Sequence, residues 1–220
     1  MWPESRRLGR PHLVLIGAGY ALGAALIRRL PEIPPSIAVS PELGRLLAAF
    51  LLPTAAATVY LLLRSLIVRH PLDRADAGAT LAVYDAIMRW VVAFLMAFHA
   101  TVLFALLGML AGRPWTARIV PALLGLTLMG IGNLLPRTRP NLAIGIRTTI
   151  ALADRALWMR IHRLAGYLLV LLGGVILISG LAVPAPAGPR MARLIEPAIV
   201  LGIPALIIYS RRLVRTAADQ

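Results

Sequence analysis

The side chains of this 220-residue chain that could carry chemistry are few: four histidines, nine carboxylates and no cysteine. The missing cysteine excludes disulfides, thiolate nucleophiles, iron–sulfur clusters and zinc–cysteine sites. His99 lies near the middle of an apolar run. An ionisable side chain at such depth marks a proton or ligand path, or else a neutral imidazole bonded to a neighbouring helix. Glu196, followed by Pro197, falls in the first turns of a later apolar run. The helix dipole favours a carboxylate there, and a cationic ligand arriving from outside is the functional alternative. Haem ligation would need a second histidine at the depth of His99, and His12, His70 and His162 all lie near the ends of apolar runs. No carboxylate pair, Ser–His pair or metal-ligand cluster is visible. The expectation is a protein that is not an enzyme, with no catalytic residues, no metal and no cofactor.

The most particular spacing lies elsewhere, in GNLLPRTRPNLAIGIRTTIALADRALWMRIHR, residues 132–163. Six arginines (Arg137, Arg139, Arg147, Arg155, Arg160, Arg163) accompany a single acid, Asp154. A loop this basic beside membrane spans stays on the cytoplasmic side. Asn133 is placed one turn before the end of an apolar run, where its amide can bridge helices or cap the carbonyls that Pro136 leaves free. Asn141 and Gly145 suit tight backbone turns. Asp154, Trp158 and His162 share one helical face, and Ile150, Ala153, Leu157, Ile161 and Leu164 mark another. The pattern predicts an amphipathic helix over 150–163 lying at the inner membrane surface, with Trp158 at headgroup depth.

The elements that must position these residues follow from composition. The chain is 59% hydrophobic, with a mean hydropathy of +0.80, which no soluble globule matches. It reads as an all-α integral membrane bundle. Six spans are expected, at about 12–27, 46–63, 88–110, 119–135, 164–183 and 194–209, with the first two short and flanked by snorkelling arginines. A signal peptide is not expected at the N-terminus, because Arg28 and Arg29 stand where cleavage would want small residues. The net charge of +14 would suggest nucleic acid in a soluble protein. Here all 23 basic residues are arginine, and arginines flanking spans set topology and meet anionic lipid, so no nucleic-acid partner is expected. Segments 1–11, 64–89, 136–163 and 210–220 hold 16 of the 23, which places both termini in the cytoplasm. Gly19-x-x-x-Gly23 and Gly108-x-x-x-Gly112 have the spacing of close helix packing. Two regions are expected: a three-span unit over 1–115 and a second over 116–220.

The 132–163 run resembles the signature of the SdpI family of bacterial membrane proteins, named for an immunity factor against a secreted peptide toxin. Gly132, Asn133, Pro136, Asn141, Gly145, Ile146, Arg147, Thr148, Leu152, Trp158, His162 and Arg163 stand at the family's spacing. The chain departs at Thr149 and Ile150, where Pro-Trp is usual, and at Ile161, where threonine is usual. A weaker likeness lies in Leu30, Pro31, Glu32, Pro34 and Pro53, a degenerate form of the family's N-terminal domain. The resemblance implies a multi-pass protein of the bacterial inner membrane that gives immunity to a membrane-active peptide outside and recruits a cytoplasmic repressor. Asn133, Pro136, Asn141, Gly145, Arg147, Thr148, Trp158, His162 and Arg163 would carry the family's partner contacts. The competing reading is a small-solute or ion transporter working through His99 and Glu196.

Overall fold

The computed structural model describes residues 10–32, 40–69, 77–113, 115–141, 144–146 and 149–182. All regular structure among them is helical: α1 (Arg10–Leu26), α2 (Pro41–Arg69), α3 (Ala77–Leu106), α4 (Thr116–Leu134), α5 (Thr149–Ala153) and α6 (Arg155–Ala182). Five segments are long and apolar enough to cross a bilayer: Arg10–Arg29, Pro41–Ile67, Gly78–Leu106, Thr116–Arg137 and Arg155–Ala182. The sixth expected span, with Glu196, lies outside the described residues.

Local chemistry fixes the helix ends. Ser40 accepts the Leu43 N–H through its Oγ at 3.3 Å, Pro41 occupies the first helical position and Glu42 the first turn of α2. All three favour a helix start. The second span is therefore longer than hydropathy alone suggested. The third is also longer, because the polar residues before Met88 continue the same helix instead of forming a separate one. At the end of α3, Met109 N–H bonds the Phe104 carbonyl and Gly108 N–H the Ala105 carbonyl, both at 3.0 Å. Gly108 has φ +71° and Gly112 φ +70°. This is a Schellman ending, so the glycines at 108 and 112 serve a turn. They do not pack helices as their spacing suggested.

Helices α1, α2 and α3 pack against one another, and α3 also meets α4. Gly19 and Gly23 do act in packing. Gly23 lies on the Ala49 carbonyl of α2, the group whose intrahelical partner Pro53 removes, and Gly19 faces Pro53 and Met96. The core of this unit includes Ile16, Tyr60, Tyr84, Met88 and Val92.

The closest pairing is α4 with α6. It runs antiparallel through two glycine pairs. A β-carbon on Gly132 would sit 2.7 Å from the Gly166 carbonyl oxygen, and one on Gly125 would sit 2.6 Å from that of Gly173. Only glycine permits such backbone contact, and van der Waals packing of this kind drives helix association in lipid. The seven-residue spacing on each helix is legible in the sequence, though only the pairing shows its purpose.

Candidate functional site

The signature residues converge where α4 ends and α6 begins. α4 tightens into a 3₁₀ turn over Leu135–Arg137, with Pro136 packed against Gly166. Thr138 follows in extended conformation, and its hydroxyl donates to the Leu135 carbonyl at 2.7 Å. Asn141 then closes a turn: its Nδ2 donates to the Arg139 carbonyl at 2.7 Å and its Oδ1 accepts the Ile144 N–H at 2.8 Å. Asn141 thus fills the turn role its type implied. Gly145 has φ +117°, and a side chain there would strike the His162 ring. Its conformation turns the next amide, Ile146 N–H, onto His162 Nε2 at 3.0 Å.

That bond decides the state of His162. A backbone N–H can only donate, so Nε2 accepts, and the proton of the neutral ring sits on Nδ1. From there it donates to the Trp158 carbonyl at 2.9 Å. The two rings stack with centroids 4.0 Å apart. Trp158 Nε1 donates to Thr138 Oγ1 at 3.1 Å. Trp158 and His162 are both fully buried. Every polar atom of the pair is engaged, so His162 has no lone pair left for a metal or a substrate.

These contacts correct the expectation of a surface helix over 150–163 with Trp158 among the headgroups. The short helix of the loop is α5 alone. It stops at Asp154, whose Oδ1 accepts the N–H groups of Ala156 and Leu157 at 2.7 and 3.1 Å. Such a cap stabilises a new helix start by about 1 kcal/mol. Residues 155–163 are the first turns of the fifth span itself. Leu157, Trp158, Ile161 and His162 are all buried. Protein therefore covers Trp158 and His162 on one sequence-legible face and Leu157 and Ile161 on the other, while Ala153 and Asp154 stay exposed.

The other expected site residues fall apart from this network. Arg163 is exposed on α6, and Asn133 is exposed on α4, with no hydrogen-bond partner among the described residues. Arg147 and Thr148 lie outside the described residues, as does Glu196. His99 is fully buried between α3 and α1, about 22 Å along α3 from Tyr84, which faces the signature loop. Its ring lies beside the Gly19 backbone, yet neither nitrogen makes a hydrogen bond of ordinary geometry. It shares no site with the signature residues.

A second polar cluster, unforeseen from sequence, joins the ends of α1, α2 and α3. His12 is fully buried, stacks on Tyr60 with centroids 5.1 Å apart, and places Nε2 3.2 Å from the Asp85 carbonyl. Its Nδ1 faces Asp85 Oδ1 at 3.7 Å, and the same carboxylate pairs with Arg89 at 3.4 Å. Arg64 donates to the Tyr60 hydroxyl at 2.7 Å. The four-residue spacings of Tyr60 with Arg64 and Asp85 with Arg89 were the available signal. Between this cluster and the signature loop lies a cavity of about 10 Å³, room for roughly one water, lined by Tyr84 and Thr80 on one side and Thr138 and Asn141 on the other. Among the described residues, no group of three metal-ligating side chains comes together.

Five apolar helices, antiparallel packing and a polar knot at one end define a multi-pass helical membrane protein. Residues 137–210 match the model of the SdpI/YfhL protein family, the family that the 132–163 signature resembles. No curated protein and no solved structure matches the chain.

Proposed function

We propose that this chain is an immunity and signalling protein of a bacterial inner membrane, not an enzyme. It protects against a membrane-active peptide from outside and recruits a cytoplasmic regulator. Both termini lie in the cytoplasm. The reading rests on one observation: part of the signature stretch turns its polar residues inward while arginines beside it stay outside. Thr138, Asn141, Trp158 and His162 bond to one another or to backbone, while Arg137, Arg160 and Arg163 stay exposed at the same end. A loop so fixed offers a stable basic surface to an acidic partner or to anionic lipid.

The test is deletion and complementation under challenge with membrane-active peptides. The wild-type gene restores growth, and Arg147→Lys, which keeps charge and topology but loses bidentate geometry, restores it poorly. Full protection by Arg147→Lys would reduce that arginine to a topology charge. Reporter fusions at Gln220 and Ala187 should report opposite sides of the membrane.

A transporter of a small solute or ion is the second reading, favoured by the unpartnered His99 in the middle of its span. His99→Leu abolishes function under that reading and spares peptide protection under the first.

A further inference from the structure

Where α3 meets α4, the Trp90 indole lies directly against Gly130, at which a β-carbon would collide with the ring. Trp90 nevertheless remains 39% exposed. Asn133 lies one turn further along α4, and Arg137 ends the 3₁₀ turn that follows it. Both are exposed. Gly130 and Asn133 are separated by roughly 4.5 Å of helix, and Asn133 and Arg137 by roughly 7 Å, because the last three residues are 3₁₀. Running toward the basic end, this stretch therefore presents an amphipathic ring, an amide and a guanidinium.

An amide on the outer face of a span, with no protein partner among the described residues, is costly unless the surroundings supply hydrogen bonds. The hydrocarbon cannot, but the ester and phosphate region of a phospholipid can. The order and spacing of the three groups follow the polarity gradient of one such molecule, from acyl chain through ester to phosphate. Trp90 has the ring type that favours this depth, and Arg137 supplies the charge and the fork of donors that suit a phosphate.

We propose that the α3–α4 groove binds one anionic phospholipid of the arginine-rich leaflet. Arg137 holds its phosphate, Asn133 its glycerol ester, and Trp90 covers the first methylenes of a chain. The occupant is anionic because Arg137 disfavours a headgroup that carries its own cation. The site depends only on the helices crossing a bilayer, so it stands or falls separately from peptide immunity.

Native mass spectrometry of the full chain, with phosphatidylglycerol and phosphatidylcholine of matched chains added together, tests it. The wild type retains phosphatidylglycerol in preference. Arg137→Gln lowers that preference about fivefold, the worth of one basic residue at the surface. Asn133→Leu lowers retention of both lipids, and Asn133→Gln, which keeps the amide, restores it. Arg10→Gln, at an exposed residue at the start of α1, leaves the preference unchanged. Equal retention of the two lipids by the wild type overturns the site. So does an equal loss from Arg10→Gln and Arg137→Gln, which would mean a diffuse basic surface. Release of phosphatidylglycerol by an acidic peptide, with no effect of Asn133→Leu, would make the groove a protein-docking surface instead.

Discussion

The two halves of the described structure hold their helices together in different ways. α1, α2 and α3 meet largely through side chains, with Met96 and Pro53 against Gly19, His12 stacked on Tyr60 and Tyr84 bonded to the Tyr60 carbonyl, alongside one glycine-on-backbone contact, Gly23 on the Ala49 carbonyl. α4 and α6 meet backbone to backbone at Gly132–Gly166 and Gly125–Gly173. Side-chain packing can adjust to a substitution by shifting rotamers, whereas backbone contact cannot. The α4–α6 seam rests on two such backbone contacts, and the polar signature sits immediately beside it. The histidines repeat the contrast. His162 has a backbone partner for each ring nitrogen, while His99 has none.

The largest effect should come from breaking the glycine pairing. Gly166→Leu is expected to cost about 3 kcal/mol or more, since overpacking at a rigid contact has nowhere to relax. Gly17→Leu on the outer face of α1, where a β-carbon meets nothing within 4 Å, should change little. Unfolding titrations in mixed micelles compare them, and equal stability of the two variants would dissolve the contrast between the halves.

Next come the histidines. His162→Leu leaves the half-buried Ile146 N–H without its acceptor and should cost about 2 kcal/mol in the same titration. His99→Leu removes no hydrogen bond and should shift stability by less than about 1 kcal/mol. A larger loss at His99 would reveal a partner for that ring and sharpen the transport reading.

The smallest effect belongs to a single bond. Trp158→Phe keeps the stacked ring and loses the donor to Thr138, and Thr138→Val loses the acceptor. Each should cost about 1 kcal/mol, and the double variant should cost less than their sum. Strict additivity would mean that the two groups act independently despite their 3.1 Å separation.

Much of this protein was legible from residues alone. Apolar length and composition fixed the membrane class and located five helices, because bilayer thickness acts on each helix separately. The spacing of the signature identified the family region, and the residue types of Asn141 and Gly145 foretold turns. What sequence could not supply was cover. Periodicity marked a face on Trp158 and His162, but whether lipid or protein lies over that face depends on contacts made elsewhere in the chain. Thr138 reaches Trp158 across 20 residues, Ile146 reaches His162 across 16, and His12 reaches Asp85 across 73. Hydropathy is a property of one segment and carries no record of its neighbours. Tertiary structure therefore decided that Trp158 is core and not anchor, that Asp154 is a cap, and that the glycines at 132 and 166 face each other. The physical reason is common to all three: a buried hydrogen bond or a backbone contact needs two partners, and the sequence names only one at a time.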